Sequence, residues 1–400
     1  MGSSGIFRTY LLPAAIVSGT VIGAGMFSLP YVFYHSGWSL GVFYFLLFSA
    51  AFSLIHLMYA DIILRTDRRP KFIGFAKEFL GDWALWPAGL MTTVGMVLIL
   101  TVYLVLSLSF GALLFPKGAG RYVLFGLWFL GSLGIFFDIK KLAFSEFIIT
   151  GSMLVIIVIT FFAGAKNFFS APNFLNPLAS NALGTPVSWS GFLSTSPLAA
   201  LLLPIGPVLF SLSGRPAVPS AIEYALKNEL PLRALRKIII LGTLVPATAY
   251  LLFIVGALGL SGVVSEDAVS GMALAPAPLL SLLGLLGLIA VFSTYVVIGK
   301  SVKDILEADL GYPPLPSGVF IVAAPILLYL AGLSDFLGLV SLVGGVFLAF
   351  ESIFIVFIWR RLDGLGSPRI LLPRLARKFS YPLASVFIIG FIYGVIKFLY

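Results

Sequence analysis

Apolar runs long enough to cross about 30 Å of hydrocarbon recur along this chain with short polar gaps between them, and that recurrence leaves one broad solution. The runs fall near residues 10–33, 39–63, 84–115, 121–137, 142–165, 197–224, 237–261, 275–299, 316–332, 336–359 and 382–399. In lipid, every backbone N–H and C=O has to be bonded within the protein, so each run is expected to be a helix. The expected fold class is all-α integral membrane, with about eleven transmembrane helices. The run 84–115 exceeds what a bilayer needs and has to tilt or project beyond it. Only 10% of residues are charged, against about 25% in soluble domains, so lipid must solvate much of the apolar surface.

The basic residues test the span count. With the N-terminus inside, Arg8 and the gaps after spans 2, 4, 6, 8 and 10 are cytoplasmic and hold twenty of the 25 Lys and Arg residues. A wrong count would scramble this alternation. The expectation is a multi-pass protein of the cell's inner (plasma) membrane, N-terminus cytoplasmic and C-terminus outside. The net charge of +9 is then a loop charge and implies no nucleic-acid partner. The first run lacks a small-residue cleavage site and is expected to be retained. The segment 65–82, with Phe72, Phe75 and Phe79 among basic residues, suits an interfacial helix on the inner leaflet. The longest outer loop covers roughly 166–196.

Two spans are interrupted. Span 1 carries Gly19, Gly23, Gly25 and Pro30; span 6 carries Pro204, Gly206, Pro207, Gly214, Pro216 and Pro219. A glycine costs roughly 1 kcal/mol in a helix interior and a proline about 3. Five spans separate the two interruptions, and paired breaks at corresponding places mark an inverted-repeat transporter. Residues 10–165 would form one five-helix repeat, 197–359 the second, and 382–399 an extra helix. Small-residue packing is the plainer reading of either segment alone. At a break, helix-opening N–H groups can hold a carboxylate and exposed carbonyls can hold an ammonium group or a cation. An α-amino acid offers both charges a few ångströms apart, which favours it over sugars or lipids.

The stretch Gly19-Thr20-Val21-Ile22-Gly23-Ala24-Gly25-Met26-Phe27-Ser28-Leu29-Pro30 resembles the first-helix signature of the amino acid/auxin permease branch of the amino acid–polyamine–organocation superfamily. The likeness is to bacterial hydroxy/aromatic amino acid permeases, the tryptophan, tyrosine and serine carriers. Pro219-Ser220-Ala221-Ile222-Glu223-Tyr224, then Leu235-Arg236-Lys237 through Pro246 and Tyr250, resembles their helix 6–7 segment. The resemblance implies a LeuT-type 5+5 inverted-repeat fold, with helices 1 and 6 broken mid-membrane. It implies ion-coupled uptake of aromatic or other neutral amino acids by a symporter using alternating access. An amino-acid sensor or an exchanger on the same fold is the alternative. The sequence departs from the family pattern at Arg215, where the resemblance implies a histidine near the second break.

On that fold the backbone N–H groups of Gly23, Ala24 and Gly25 are expected to take the substrate carboxylate. Carbonyls near Gly19, Thr20, Phe210, Ser211 and Ser213, with Gly214 at the break, are expected to take the amine. Phe210 is a candidate lid. Arg215 is either a substrate or gating charge or half of a structural ion pair, because an unpaired arginine inside a membrane costs at least about 2.5 kcal/mol. Glu351 is its candidate partner and also a candidate proton carrier; Glu223 lies roughly 12 Å further along a helix. Gly19, Ile22 and Ala290 carbonyls with Ser293 and Thr294 hydroxyls would supply the five oxygens of a sodium site, as hard cations prefer. The competing reading has those hydroxyls bonded to their own helix. If a proton couples instead, Glu351, Glu146 or Asp61 would carry it, although the last two lie near span ends and would be expected to snorkel to water.

No organic cofactor is expected beyond a coupling Na⁺ or H⁺. The chain contains no Cys and two His, His35 and His56. It contains no H-E-x-x-H, G-x-S-x-G or P-loop pattern, so an enzyme is not expected. The partners expected are a small amino acid and the lipid bilayer.

Overall fold

A computed structural model describes residues 7–66, 72–115, 118–137, 142–170, 201–366, 368–373 and 375–399, apart from the side chains of 142–146. The described residues contain helices and no strand. Span 1 is a bent pair, α1 (Phe7–Val21) and α2 (Ala24–Ser36), turned by 53° at the break. Next come α3 (Trp38–Leu64), a short α4 (Phe72–Leu80), α5 (Asp82–Leu114), α6 (Gly120–Phe136) and α7 (Leu142–Ser170). Span 6 is again two pieces, α8 (Ile205–Leu212) and α9 (Val218–Lys227). The bundle is completed by α10 (Leu232–Leu260), α11 (Ala277–Asp309), α12 (Pro314–Leu330), α13 (Phe336–Gly364) and α14 (Ala376–Leu399).

The prolines explain where the two broken spans restart. Pro216 and Pro219 stand in the first turns after the second break, and Pro30 in the first α-helical turn after the 3-10 stretch Ala24–Ser28, where a missing N–H costs little. Five helices outrun their apolar stretches: α7 continues to Ser170, α10 begins at Leu232, α11 continues to Asp309, α13 continues to Gly364, and α14 starts at Ala376 with Pro382 inside it. Hydropathy marks only the part in lipid, whereas helical hydrogen bonding continues under charged side chains such as Arg236, Lys303 and Arg377. The outer loop expected over 166–196 overlaps α7 up to Ser170; its remainder lies outside the described residues.

The helices approach closely through glycines. A Cβ on Gly164 would lie 2.0 Å from the Gly256 carbonyl, and one on Gly256 would lie 2.4 Å from the Thr160 carbonyl. Thus α7 and α10 meet backbone to backbone, as small residues permit where lipid gives no hydrophobic drive. Phe27 of α2 sits edge-on to Phe110 of α5 at 5.0 Å and to Phe253 of α10 at 5.3 Å, anchoring the second half of the broken span. In α4, Phe72, Ile73 and Phe75 are fully buried, so its aromatic face packs against the bundle while Lys77 and Glu78 are exposed.

Candidate functional site

The two breaks lie against each other. A Cβ on Gly25 would come within 2.6 Å of Ser211 Cα, and one on Gly214 within 2.6 Å of Val21. At the first break α1 ends at Val21, Gly23 is extended (φ −140°, ψ −157°), and a 3-10 turn begins at Ala24. The N–H groups of Ala24 and Gly25 therefore open a helix without intrahelical acceptors. The Tyr250 hydroxyl donates to the Val21 carbonyl and so satisfies the unwound backbone where α1 ends.

At the second break Ser213 is extended, and Gly214 N–H donates to His56 Nε2 at 3.1 Å. His56 Nδ1 lies 2.9 Å from Thr243 Oγ1. An acceptor at Nε2 fixes the proton on Nδ1, so the ring is neutral and donates to the threonine. Gly214 N–H is thereby occupied by the protein itself. Ser211 turns its hydroxyl back to the Pro207 carbonyl at 2.6 Å and faces α2. Neither residue lines a cavity, which separates them from the rest of the expected substrate set.

Thr20, Gly23, Ala24, Gly25, Phe210, Ser213, Arg215 and Glu351 surround one central cavity of about 40 Å³. At roughly 10–15 Å³ per water that is room for two or three waters, so an amino acid enters only when the walls move. Met96, Ile99 and Tyr103 of α5 and Phe347 of α13 complete those walls. Arg215 Nε and Nη2 donate to both Glu351 oxygens at 2.7 and 2.9 Å, and both side chains are at most 8% exposed. The guanidinium also lies 4.8 Å from the Phe72 ring centre. Of the two readings of Arg215, the geometry forms the ion pair with the expected partner. Beyond the pair opens a second cavity of about 590 Å³, bounded by Tyr59, Thr66, Glu223 and Asp304. Met96, Arg215 and Pro216 line both spaces and form the partition between them.

The expected cation ligands also assemble. Gly19, Ile22, Ala290, Ser293 and Thr294, with Thr20, surround a separate cavity of about 20 Å³. Thr294 Oγ1 donates to the Ala290 carbonyl at 2.7 Å, which occupies its proton and leaves oxygen lone pairs. Thr150 and Met153 of α7 close the other side.

Asp61 behaves unlike the expectation of snorkelling. It is fully buried, paired with Arg65 at 3.2 Å, and accepts from Trp359 Nε1 and from the Ile370 and Leu371 N–H groups, each at 2.8 Å. It clasps the segment after α13 onto the end of α3. The side chain of Glu146 lies outside the described residues.

Sequence reasoning missed Tyr103, Tyr250 and His56 as site residues. Each is a polar residue inside an otherwise apolar span, a signal that marks it as unusual without saying what it faces.

The tryptophan/tyrosine permease family profile matches residues 8–310. Among solved structures, MhsT in complex with L-phenylalanine is similar at 18% identity and a TM-score of 0.59, over 96% of this chain and 98% of that one. The manganese transporter of Eremococcus coleocola, in complex with an aromatic bis-isothiourea substituted compound, is similar at 16% identity and 0.58, over 100% and 89%. No curated protein sequence matches. The architecture is thus that of LeuT-type transporters, and the chain belongs to the tryptophan/tyrosine permease family.

Proposed function

We propose that this protein is an ion-coupled symporter that takes up aromatic amino acids by alternating access. The observation that carries the reading is the meeting of two helix breaks at one cavity. The residues carrying the open N–H groups, Ala24 and Gly25, line it together with Phe210, which packs against Gly25. The N–H groups and the Tyr103 hydroxyl suit a carboxylate. Carbonyls at Thr20 and Ser213 suit an ammonium group, and the apolar walls from Met96, Ile99 and Phe347 suit a ring. The phenylalanine-bound structural neighbour agrees with such a substrate.

Residues 10–165 and 197–359 are the two repeats in this reading, with the last helix an addition. In this reading the charge distribution supports a cytoplasmic N-terminus, an outside C-terminus, and the second cavity beyond Arg215 opening to the cytoplasmic side of a cell membrane. Sodium is the favoured coupling ion, because six residues gather around an ion-sized cavity. Glu351 is a weaker proton carrier, because a proton must first break its paired hydrogen bonds with Arg215.

The test is uptake of labelled tryptophan, tyrosine and phenylalanine into proteoliposomes under separate sodium and proton gradients. Sodium-driven accumulation that Ser293→Ala abolishes supports the full reading. Proton-driven accumulation transfers the coupling to Glu351. Binding without accumulation under either gradient refutes the symporter and leaves a sensor or an exchanger.

A further inference from the structure

Between residues 360 and 378 stand Arg360, Arg361, Arg369, Arg374, Arg377 and Lys378, against one acidic residue, Asp363. The fold gathers four of them. Arg360, Asp363, Arg369, Arg377, Lys378 and Tyr381 border an open cavity of about 930 Å³ at the foot of α13 and α14. Asp363 is already engaged: Arg369 holds it through two bonds of 2.6 and 2.7 Å, and Arg377 approaches to 3.4 Å. Among the described residues no carboxylate pairs with Arg360 or Lys378.

Arg360 is nonetheless held in place. Its Nη1 donates to Ser380 Oγ at 2.6 Å and to the Arg377 carbonyl at 3.3 Å, and its guanidinium stacks 3.5 Å from the Tyr381 ring centre. Nε and Nη2 remain for a further acceptor, and a planar guanidinium suits phosphate oxygens. The same cavity adjoins the outward face of α14. Only 28% of the span window of α14 is buried. Tyr381, Ile388 and Ile392, at i, i+7 and i+11, form one exposed apolar stripe that rises from the cavity.

We propose that this cavity binds the phosphate headgroup of an anionic phospholipid, with the acyl chains lying along the exposed face of α14. Four cations against one carboxylate supply the charge complementarity, and the continuous apolar stripe selects a lipid over a soluble anion. Basic pockets between helices at a membrane surface recognise such headgroups.

The experiment is native mass spectrometry of the full chain in detergent, with equal additions of phosphatidylglycerol or phosphatidylcholine. We expect phosphatidylglycerol adducts to dominate for the wild type. Lys378→Gln, at an exposed side chain, is expected to weaken them about fivefold, and Arg360→Gln with Lys378→Gln by about fivefold more, from the effect of each cation near a membrane surface. Lys227→Gln, an exposed lysine on α9, serves as a control and is expected to change nothing. Equal adducts of the two lipids overturn the proposal, as does an equal loss in Lys227→Gln. Displacement of phosphatidylglycerol by millimolar inorganic phosphate alone also overturns it, since the acyl chains would then contribute nothing. A circular dichroism spectrum matching wild type is required of each variant. Lys378→Gln keeps the test decisive if Arg360→Gln fails to fold.

Discussion

Glu351→Gln is the most informative single substitution. It keeps the shape of the side chain but removes the charge that Arg215 holds through bonds of 2.7 and 2.9 Å. At about 3.5 Å and an effective dielectric of about 20, the lost attraction is roughly 5 kcal/mol. Both groups are nearly fully buried, so Arg215 gains little water in exchange. Removing one partner of a buried pair typically costs about 3–5 kcal/mol. The Phe72 ring at 4.8 Å recovers part of this through its π face, on the order of 1 kcal/mol. We therefore expect a loss of about 3 kcal/mol, seen as a fall of on the order of 5 °C in the unfolding midpoint of the detergent-solubilised protein. Replacing both residues with methionine should restore most of it, because an apolar pair carries no desolvation cost. The single variants Arg215→Met and Glu351→Met form with that double variant a cycle that isolates the coupling. A Glu351→Gln protein within about 0.5 kcal/mol of wild type, or a double variant worse than either single, would refute the buried-pair account.

Three further outcomes follow from the geometry. Gly23→Ala should fold normally, since its Cβ meets nothing nearer than Tyr103 Oη at 3.5 Å, whereas Gly25→Ala should lose about 1–3 kcal/mol to overpacking against Ser211; thermal unfolding of the two side by side checks the contrast. His56→Leu strands the Gly214 N–H and should cost about 1–3 kcal/mol, again by thermal unfolding, with wild-type stability as the refuting result. Asp61→Ala removes the acceptor for the Ile370 and Leu371 N–H groups, so trypsin should cut at Arg369 or Arg377 much faster than in the wild type; unchanged digestion would show that the segment is held by other contacts.

Much of this molecule could be read from the sequence because lipid leaves few options. Helix positions follow from apolar length, and the two breaks follow from Gly and Pro in spans where each is costly. The Arg215–Glu351 pair was accessible because a buried arginine requires a partner and few acids lie inside spans. The wall from α5 was not. Met96 and Tyr103 sit in a helix that is apolar on every side, so no periodicity distinguishes the cavity face from the core. His56 was equally hidden, since its role depends on Gly214 and Thr243, residues more than 150 positions away. Asp61 was misjudged for a related reason. Its position near a helix end suggested water, but the chain returns after α13 and supplies N–H groups that no local pattern announces.

The clasp at Asp61 has a mechanical consequence for α13. That helix is pinned at its far end, where Trp359 and the following segment are tied to α3. Its other end packs backbone to backbone on α8, a Cβ on Gly206 falling 2.5 Å from the Ser341 carbonyl. A rod fixed at both ends cannot swing as a whole. Any separation of Glu351 from Arg215 must be absorbed within the rod, and Val343–Leu348, just before Glu351, is a π-helical turn where the regular ladder is already loosened. That turn is the natural pivot, and the lever arm from it to Glu351 is less than one helical turn long.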